Sequence, residues 1–115
     1  MNDIELEKGK VAIIVEIIEY VPNSVVIRSI IKKTTGKISA VSFDSGESLS
    51  DRLSRFDNFI QIIDGKAEII IDDDPIQLET GQSIIIPAHT QNTINANVRF
   101  KMLSTIIKSG YEEVC

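Results

Sequence analysis

The sequence predicts an all-β domain, built as a small antiparallel barrel or sandwich. Short runs rich in Ile and Val recur every ~8–12 residues, and turn-forming residues separate them, as is typical of such folds. The chain has 115 residues, of which 43% are hydrophobic, so it is long enough for one domain with a core and short for two. We find no repeat, low-complexity tract or linker, and residues 1–115 are therefore predicted to form a single domain.

Eight apolar runs are predicted to be strands, and most of them end at residues that favour turns. Asp64-Gly65 lies between two of these runs and predicts a hairpin, because a type I′ turn needs two residues that tolerate positive φ. The acidic stretch over residues 72–75 predicts a second turn. The predicted strands cover residues 25–31, 38–43, 59–63, 67–71, 76–79, 83–86, 92–96 and 100–107.

The first twenty residues follow no single period. Apolar positions over residues 11–18 fit neither strand alternation nor a helical face, so a short helix and an extra strand both stay open here. The same window is too short to cross a bilayer core of ~30 Å, and it contains Glu16. The acidic N-terminus lacks the basic region of a signal peptide. We therefore expect no membrane partner and a cytoplasmic location.

Charge and rare residues narrow the function classes further. The net charge is −5, and no basic stretch is longer than Lys32-Lys33, whereas proteins that bind nucleic acid through phosphates carry basic patches. We therefore expect no nucleic-acid partner. A single cysteine excludes a disulfide within the chain. A single histidine, His89, excludes any site that needs two imidazoles from one chain.

Two stretches carry a spacing found in a known family. From Gly46 to Gly65 the sequence reads GESLSDRLSRFDNFIQIIDG, and from Gly81 it reads GQSIIIPAHTQNTINA. They resemble the two signatures of the cupin superfamily, G(X)5HXH(X)3–4E(X)6G and G(X)5PXG(X)2H(X)3N, without gaps. The resemblance covers roughly residues 43–107, the core motif region, and implies a cupin-like jelly roll, a small antiparallel β-barrel.

The metal positions of that family are replaced in this chain. Where a metal-binding cupin would carry His, His, Glu and His, this sequence has Arg52, Ser54, Asn58 and Asn92. Transition metals prefer imidazole, thiolate or carboxylate ligands, and Arg52 is a permanent cation that would repel a metal. The second glycine of the second signature is His89, and its last Asn is Ala96. We therefore expect no metal and no other cofactor.

The replacements predict a polar pocket instead. Positions 52 and 54 point to one face of a strand, and the family frame places that face, with Asn58 and Asn92, inside the barrel. Arg52 would anchor a carboxylate or phosphate, because its donors match those groups bidentately. In the alternative interpretation, Arg52 binds no ligand: an acidic residue of this chain neutralises it, or its guanidinium reaches solvent at the barrel mouth.

Three further residues complete the candidate site. Phe100 and Met102 are two apart and are predicted to form an apolar wall of the pocket. His89 follows Pro87-Ala88 in a predicted turn, where an exposed loop histidine is the simpler interpretation, and it is included because a loop there would lie near the barrel mouth. The predicted ligand-binding residues are Arg52, Ser54, Asn58, Asn92, His89, Phe100 and Met102.

Three functions stay open at this point. The preferred hypothesis is a metal-free barrel that binds a small, anionic molecule and has no assigned catalysis. The first alternative is a divergent metal-dependent cupin enzyme of oxygenase or isomerase type, with ligands drawn from His89, Asp57 or Glu68. The second is a structural or regulatory module with a vestigial pocket.

A homodimer is expected in each case. Runs such as residues 69–71 and 84–86 are apolar on both faces, so their outer face needs a cover. The N-terminal segment or a second subunit would supply that cover. Many small cupins pair as dimers, and the resemblance points the same way.

Overall fold

The computed structural model describes residues 5–51 and 54–108, apart from the side chain of Asp51. Within these ranges a 3₁₀ turn at Ile14–Glu16 precedes eight strands, and the all-β prediction is confirmed. No helix in the described part of the chain is long and apolar enough to span a membrane. The strands are β1 Val25–Lys33, β2 Gly36–Phe43, β3 Ser48–Asp51, β4 Asn58–Ile71, β5 Asp74–Glu79, β6 Ser83–Ile86, β7 Asn92–Asn95 and β8 Phe100–Ile107.

The strands form one curled antiparallel sheet in which β4 belongs to both halves. The first half of β4 pairs with β6 and β8, and β8 pairs in turn with β2 and then β1. The second half of β4 pairs with β5 and β7, and β7 pairs with β3. The two halves face each other across the main hydrophobic core, which is the arrangement expected of a small β-barrel.

The hairpin predicted at Asp64-Gly65 is wrong. These residues lie within β4, which runs unbroken over fourteen residues with a register shift between Ile62 and Asp64. Gly65 has φ +92°, and a Cβ there would lie 2.5 Å from the backbone oxygen of Arg99. The positive φ of Gly65 therefore belongs to a β-bulge rather than to a turn. At this bulge β4 bends and comes close to the start of β8.

The other differences are at strand ends and edges. β3 was not among the predicted strands, because Leu49 is the single apolar residue in it. β1 and β2 each extend two residues further than predicted and leave a two-residue turn, residues 34 and 35. The acidic turn is confirmed as a tight hairpin, in which Asp72 and Asp73 both have positive φ.

The N-terminal segment covers part of the outer face of the sheet and contains no strand among its described residues. Ile17 and Ile18 are buried in a second apolar cluster against Ile30 of β1 and Ala40 of β2. Polar contacts fix the segment on both sides of this cluster. Lys101 of β8 donates a hydrogen bond of 2.7 Å to the backbone oxygen of Val15.

Tyr20 joins the N-terminal segment to β4 at the bend of this strand. Its hydroxyl donates a 2.7 Å hydrogen bond to Oδ2 of Asp64, and Arg99 and Lys101 lie 4.7 and 4.9 Å from its ring centroid. Burial first, and then the hydrogen bond to Asp64, raises the pKa of Tyr20 above its usual value. The neutral phenol is therefore the form that this contact needs.

A first prediction concerns Gly65. Gly65→Ala should lower the free energy of unfolding by more than about 3 kcal/mol, because both strained φ and a backbone clash oppose the new methyl group. Gly81→Ala is the matched control, since Gly81 has φ +90° and an added methyl group would meet nothing within 4 Å, and it should cost about 1 kcal/mol. Urea denaturation of both variants measures the difference, and equal losses would show that the contact with Arg99 is unimportant.

A second prediction concerns alkaline pH. Because the folded protein raises the pKa of Tyr20, its contribution to stability is complete below the unfolded pKa of about 10 and is lost as pH rises towards the folded value. Tyr20→Phe should cost about 1 kcal/mol at pH 7 and should lose less stability than the wild type between pH 9 and 11. Denaturant unfolding across this range tests both points. Parallel pH profiles would contradict the assignment.

Candidate functional site

A cavity of about 130 Å³ lies between the two halves of the sheet. Six strands contribute to it, so its shape depends on the whole fold rather than on one loop. Because side chains alternate along a strand, every second residue points to the inner face of the sheet, and some of these residues line the cavity. Its polar lining consists of Lys37, Ser39, Asn58, Asn92 and Ser104, and its apolar lining of Ile27, Val41, Leu49, Ile94, Met102 and Ile106.

The register of the strands arranges the lining in layers. At one end Phe43 and Phe100 face each other across β2 and β8, with their rings stacked 4.5 Å apart. The next layer pairs Val41 with Met102, and the one above it pairs Ser39 with Ser104. In the last layer Ile106 lies between Lys37 on β2 and Asn58 on β4. The cavity therefore changes from an apolar floor to a polar upper end.

The two asparagines of the cavity differ in their partners. Oδ1 of Asn58 accepts a 2.7 Å hydrogen bond from the hydroxyl of Ser104, which fixes the orientation of its amide. The side chain of Asn92 is 7% exposed and has no hydrogen-bond partner in the part of the chain that the structure describes. No fully buried side-chain nitrogen or oxygen of the described residues lacks a hydrogen-bond partner, so the amide of Asn92 is accessible from the cavity, where a bound molecule would contact it.

Lys37 adds a positive charge to the same layer as Asn58. It is half-buried on β2, and no carboxylate of the described residues lies within ion-pair distance of it. None of the described residues that line the cavity is acidic. The described lining therefore carries one cation and several hydrogen-bond donors, with no negative charge to balance them.

The structure brings together three of the predicted site residues. Asn58, Asn92 and Met102 line the cavity. Phe100 does not line it: it is fully buried in the floor beneath Met102, so its role is packing. Arg52, the predicted anchor, lies outside the described residues.

Ser54 and His89 lie together in the loops beyond the cavity lining. The hydroxyl of Ser54 donates to the backbone oxygen of Phe56, which leaves this serine engaged within its own loop. The backbone N–H of His89 donates a 2.7 Å hydrogen bond to the backbone oxygen of Ser54, and His89 itself is exposed. His89 also has φ +64°, in the place where the family signature has glycine. These contacts join the two loops and give neither side chain a place in the cavity lining.

Sequence reasoning missed the other polar residues of the cavity. Lys37 and Ser39 are on β2, and Ser104 is on β8, all outside the family signatures that located the site. The signal that would have found Ser104 was strand alternation, since it follows Phe100 and Met102 at the same spacing of two. The same alternation, continued backwards from the core residues Val41 and Phe43, leads to Ser39 and Lys37.

The donor set does not fit the metal that many cupins hold. At the two described signature positions on strands, Asn58 and Asn92 offer neutral amide oxygens, and one of these already accepts from Ser104. Nor do three His, Cys, Asp or Glu side chains gather anywhere in residues 5–51 and 54–108. Lys37, in the same layer as Asn58, would repel a cation. We therefore derive no chemistry through a metal at this site.

No protein-family model matches the chain, and no curated protein sequence does. Solved structures do match it. A cupin superfamily protein from Desulfitobacterium hafniense has a TM-score of 0.84 and 27% identity, over 95% of this chain and 100% of that one. The chain has the fold of cupin superfamily proteins. This similarity agrees with the resemblance of its signature spacing to that family.

Two other solved structures are similar to this chain. A conserved protein of unknown function from Streptococcus pyogenes has a TM-score of 0.84 and 27% identity, over 94% of this chain and 93% of that one. A cupin 2 conserved barrel domain protein from Leptotrichia buccalis has a TM-score of 0.77 and 26% identity, over 82% of this chain and 46% of that one. These likenesses establish the barrel and carry no ligand over to it.

A third prediction separates the two asparagines of the cavity. Asn92→Leu should keep the stability of the ligand-free protein within about 0.5 kcal/mol or raise it, because no described protein partner is lost. Asn58→Leu, the matched control, should cost about 1 kcal/mol because the hydroxyl of Ser104 loses its acceptor. Chemical denaturation of both variants measures this. A larger loss for Asn92→Leu than for Asn58→Leu would mean that the Asn92 amide has a structural role.

Proposed function

We propose that this chain is a small-molecule-binding barrel that takes a small anion into the cavity between its two half-sheets, without a metal. The observation that carries the proposal is the charge balance of the lining. Lys37 contributes a positive charge, and none of the described lining residues contributes a negative one. An anion would supply a counter-charge for Lys37.

The neutral lining suits the same class of ligand. Anions need hydrogen-bond donors, and the amide nitrogens of Asn58 and Asn92, the hydroxyl of Ser39 and the ammonium of Lys37 are donors. Hydrogen bonds to an ionised acceptor are stronger than those between neutral groups. The amide of Asn92, which has no hydrogen-bond partner among residues 5–51 and 54–108, supports this proposal because a ligand would bind to it.

Size and polarity favour a compact carboxylate over a larger molecule. The cavity volume of about 130 Å³ is smaller than the ~300–1,000 Å³ that is common for drug-sized ligands. The charged end would lie in the layer of Lys37 and Asn58, and a short apolar part would contact Met102 and Val41. Arg52, which follows the last residue of β3 in sequence, remains our proposed second anchor.

The described contacts do not favour the alternative of a metal-dependent enzyme. Of its three proposed ligands, Asp57 accepts a hydrogen bond from the backbone N–H of Ala88, and Glu68 accepts one from Asn95. His89 is exposed in its loop. These three side chains do not form a cluster that could hold a metal. Elemental analysis of untagged protein tests this directly, and near-stoichiometric metal would overturn the metal-free proposal.

A fourth prediction tests Lys37 with defined probes. Acetate, propionate and inorganic phosphate are titrated into ¹⁵N-labelled protein, and the side-chain amide signals of Asn58 and Asn92 are followed by NMR. We expect at least one probe to shift both signals with a saturable curve. Lys37→Met should weaken that binding by about tenfold or more, since the ion pair is lost while the aliphatic volume is kept.

Lys66→Met is the matched control for that titration. Lys66 is exposed on the second half of β4, 3.9 Å from Glu79, and is not part of the cavity lining. Its replacement removes the same charge from the protein and should leave binding unchanged. If Lys37→Met binds the probes as tightly as the wild type, the anion proposal is wrong. Arg52→Met, measured alongside, shows whether Arg52 contributes as a second anchor.

A further inference from the structure

The cavity meets solvent at two apolar residues. Of the described residues that line it, Ile27 and Leu49 alone are exposed, by 54% and 38%. Every other described lining residue, Lys37 included, is buried or half-buried. A side chain that both lines a cavity and contacts solvent lies at its mouth. The mouth of this cavity is therefore flanked by an isoleucine from β1 and a leucine from β3.

The order of the strands explains why the mouth lies there. β1 and β3 are the two ends of the strand order, and no pairing between them closes the barrel in the described part of the chain. We call the gap between β1 and β3 the seam. An unclosed seam leaves a way into the space between the half-sheets. The N-terminal segment contacts β1 further along the strand, where Leu6 donates a backbone hydrogen bond to Ile30, and it leaves Ile27 exposed.

Strand register places the mouth at the apolar level of the cavity, away from its cation. Ile27 pairs with Val41, and Leu49 pairs with Ile94. Both partners are buried and apolar. Along β2, Lys37 is four residues from Val41, which corresponds to ~13 Å at ~3.3 Å per residue. The charged end of the cavity and its mouth are therefore two layers of side chains apart.

We propose that the ligand of this cavity is a medium-chain aliphatic carboxylate, whose charged end binds at Lys37 and Asn58 and whose tail leaves through the seam between Ile27 and Leu49. This ligand rests on the proposed function, because it needs the anion site at Lys37. Acetate or phosphate bound there would leave the apolar layer and the mouth without contacts, whereas a longer chain contacts both. Because the cavity holds only about 130 Å³, the end of such a chain would lie in the seam.

The chemistry of the mouth disfavours anions that are polar at both ends. A dicarboxylate or a sugar phosphate would place a second polar group between Ile27 and Leu49, and neither side chain can donate or accept a hydrogen bond. An aliphatic tail has no such group to desolvate, and its contact with both side chains removes apolar surface from water. The charged end would therefore select the carboxylate, and the mouth would select the tail.

The first test compares chain lengths. Acetate, butyrate, hexanoate and octanoate are titrated into ¹⁵N-labelled protein, and the side-chain amide signals of Asn58 and Asn92 are the readout. Each methylene group that is buried should tighten binding by up to about fourfold, so octanoate should bind at least about tenfold more tightly than acetate. Suberate, which has the same number of carbons and a carboxylate at both ends, should bind at least about fivefold more weakly than octanoate.

The second test alters the mouth and leaves the charged end unchanged. The double variant Ile27→Ser, Leu49→Ser should bind acetate within about twofold of the wild type, and its ratio of octanoate to acetate affinity should fall by at least about threefold. Ile85→Ser is the matched control. Ile85 is also a strand isoleucine, it is 57% exposed compared with 54% for Ile27, and it does not line the cavity. Its replacement should change neither affinity.

The outcomes distinguish the aliphatic ligand from the anion site itself. If acetate or phosphate binds and octanoate binds no more tightly than acetate, the anion site stands and the aliphatic ligand is wrong. An affinity ratio that the double variant leaves unchanged would also overturn the aliphatic ligand, since the tail would then lie elsewhere. If no probe gives a saturable shift of the two amide signals, the proposed function is wrong and the aliphatic ligand with it. Because Ile27 and Leu49 are exposed, circular dichroism should show that the variant is folded.

Discussion

The close approach of β4 to the start of β8 at Gly65 is the contact on which the rest of the fold depends. It lets one strand bend and pair with four others, so the two halves of the sheet share a covalent backbone rather than only a core. The bend turns the inner faces towards each other and creates the cavity between them. It also creates the recess at Asp64 where Tyr20 is bound, which ties the N-terminal segment to the same point.

The cavity and the outer face both contain residues of a type that is unusual for their position. Inside, Lys37 and the amide of Asn92 occupy positions where apolar side chains would have packed without needing partners. Outside, isoleucines and a phenylalanine occupy positions where polar side chains would have been hydrated. A ligand of suitable chemistry would pair with the polar lining, which is why we locate the proposed function in the cavity.

Much of the fold could be predicted from the sequence because strand alternation and tight turns are local signals. The run over residues 100–107 and the acidic turn after β4 are examples. Asp64-Gly65 shows the limit of such signals, since a glycine with positive φ suits a hairpin and a bulge equally well. The choice between them is made by β8, a strand 35 residues later in the chain, measured from Gly65 to Phe100. No short window of sequence contains that information.

The site could be predicted less completely than the fold. The family signatures led to Asn58 and Asn92, which do line the cavity, and to Ser54, whose hydroxyl is bound within its own loop. Lys37 was missed because its side chain enters the cavity from a strand outside both signatures. A charged residue near a strand end is usually solvated, and only the pairing of β2 with β8 places this one opposite Ile106.

The order of the strands also has a consequence for biosynthesis. β8 is the last strand in the described part of the chain, yet it lies between β2 and β4 in the sheet. Before it emerges from the ribosome, β2 and β4 each lack their shared neighbour, and their apolar faces are open. Because such long-range pairings must wait for β8, the domain is expected to fold only after this strand has been synthesised, rather than strand by strand.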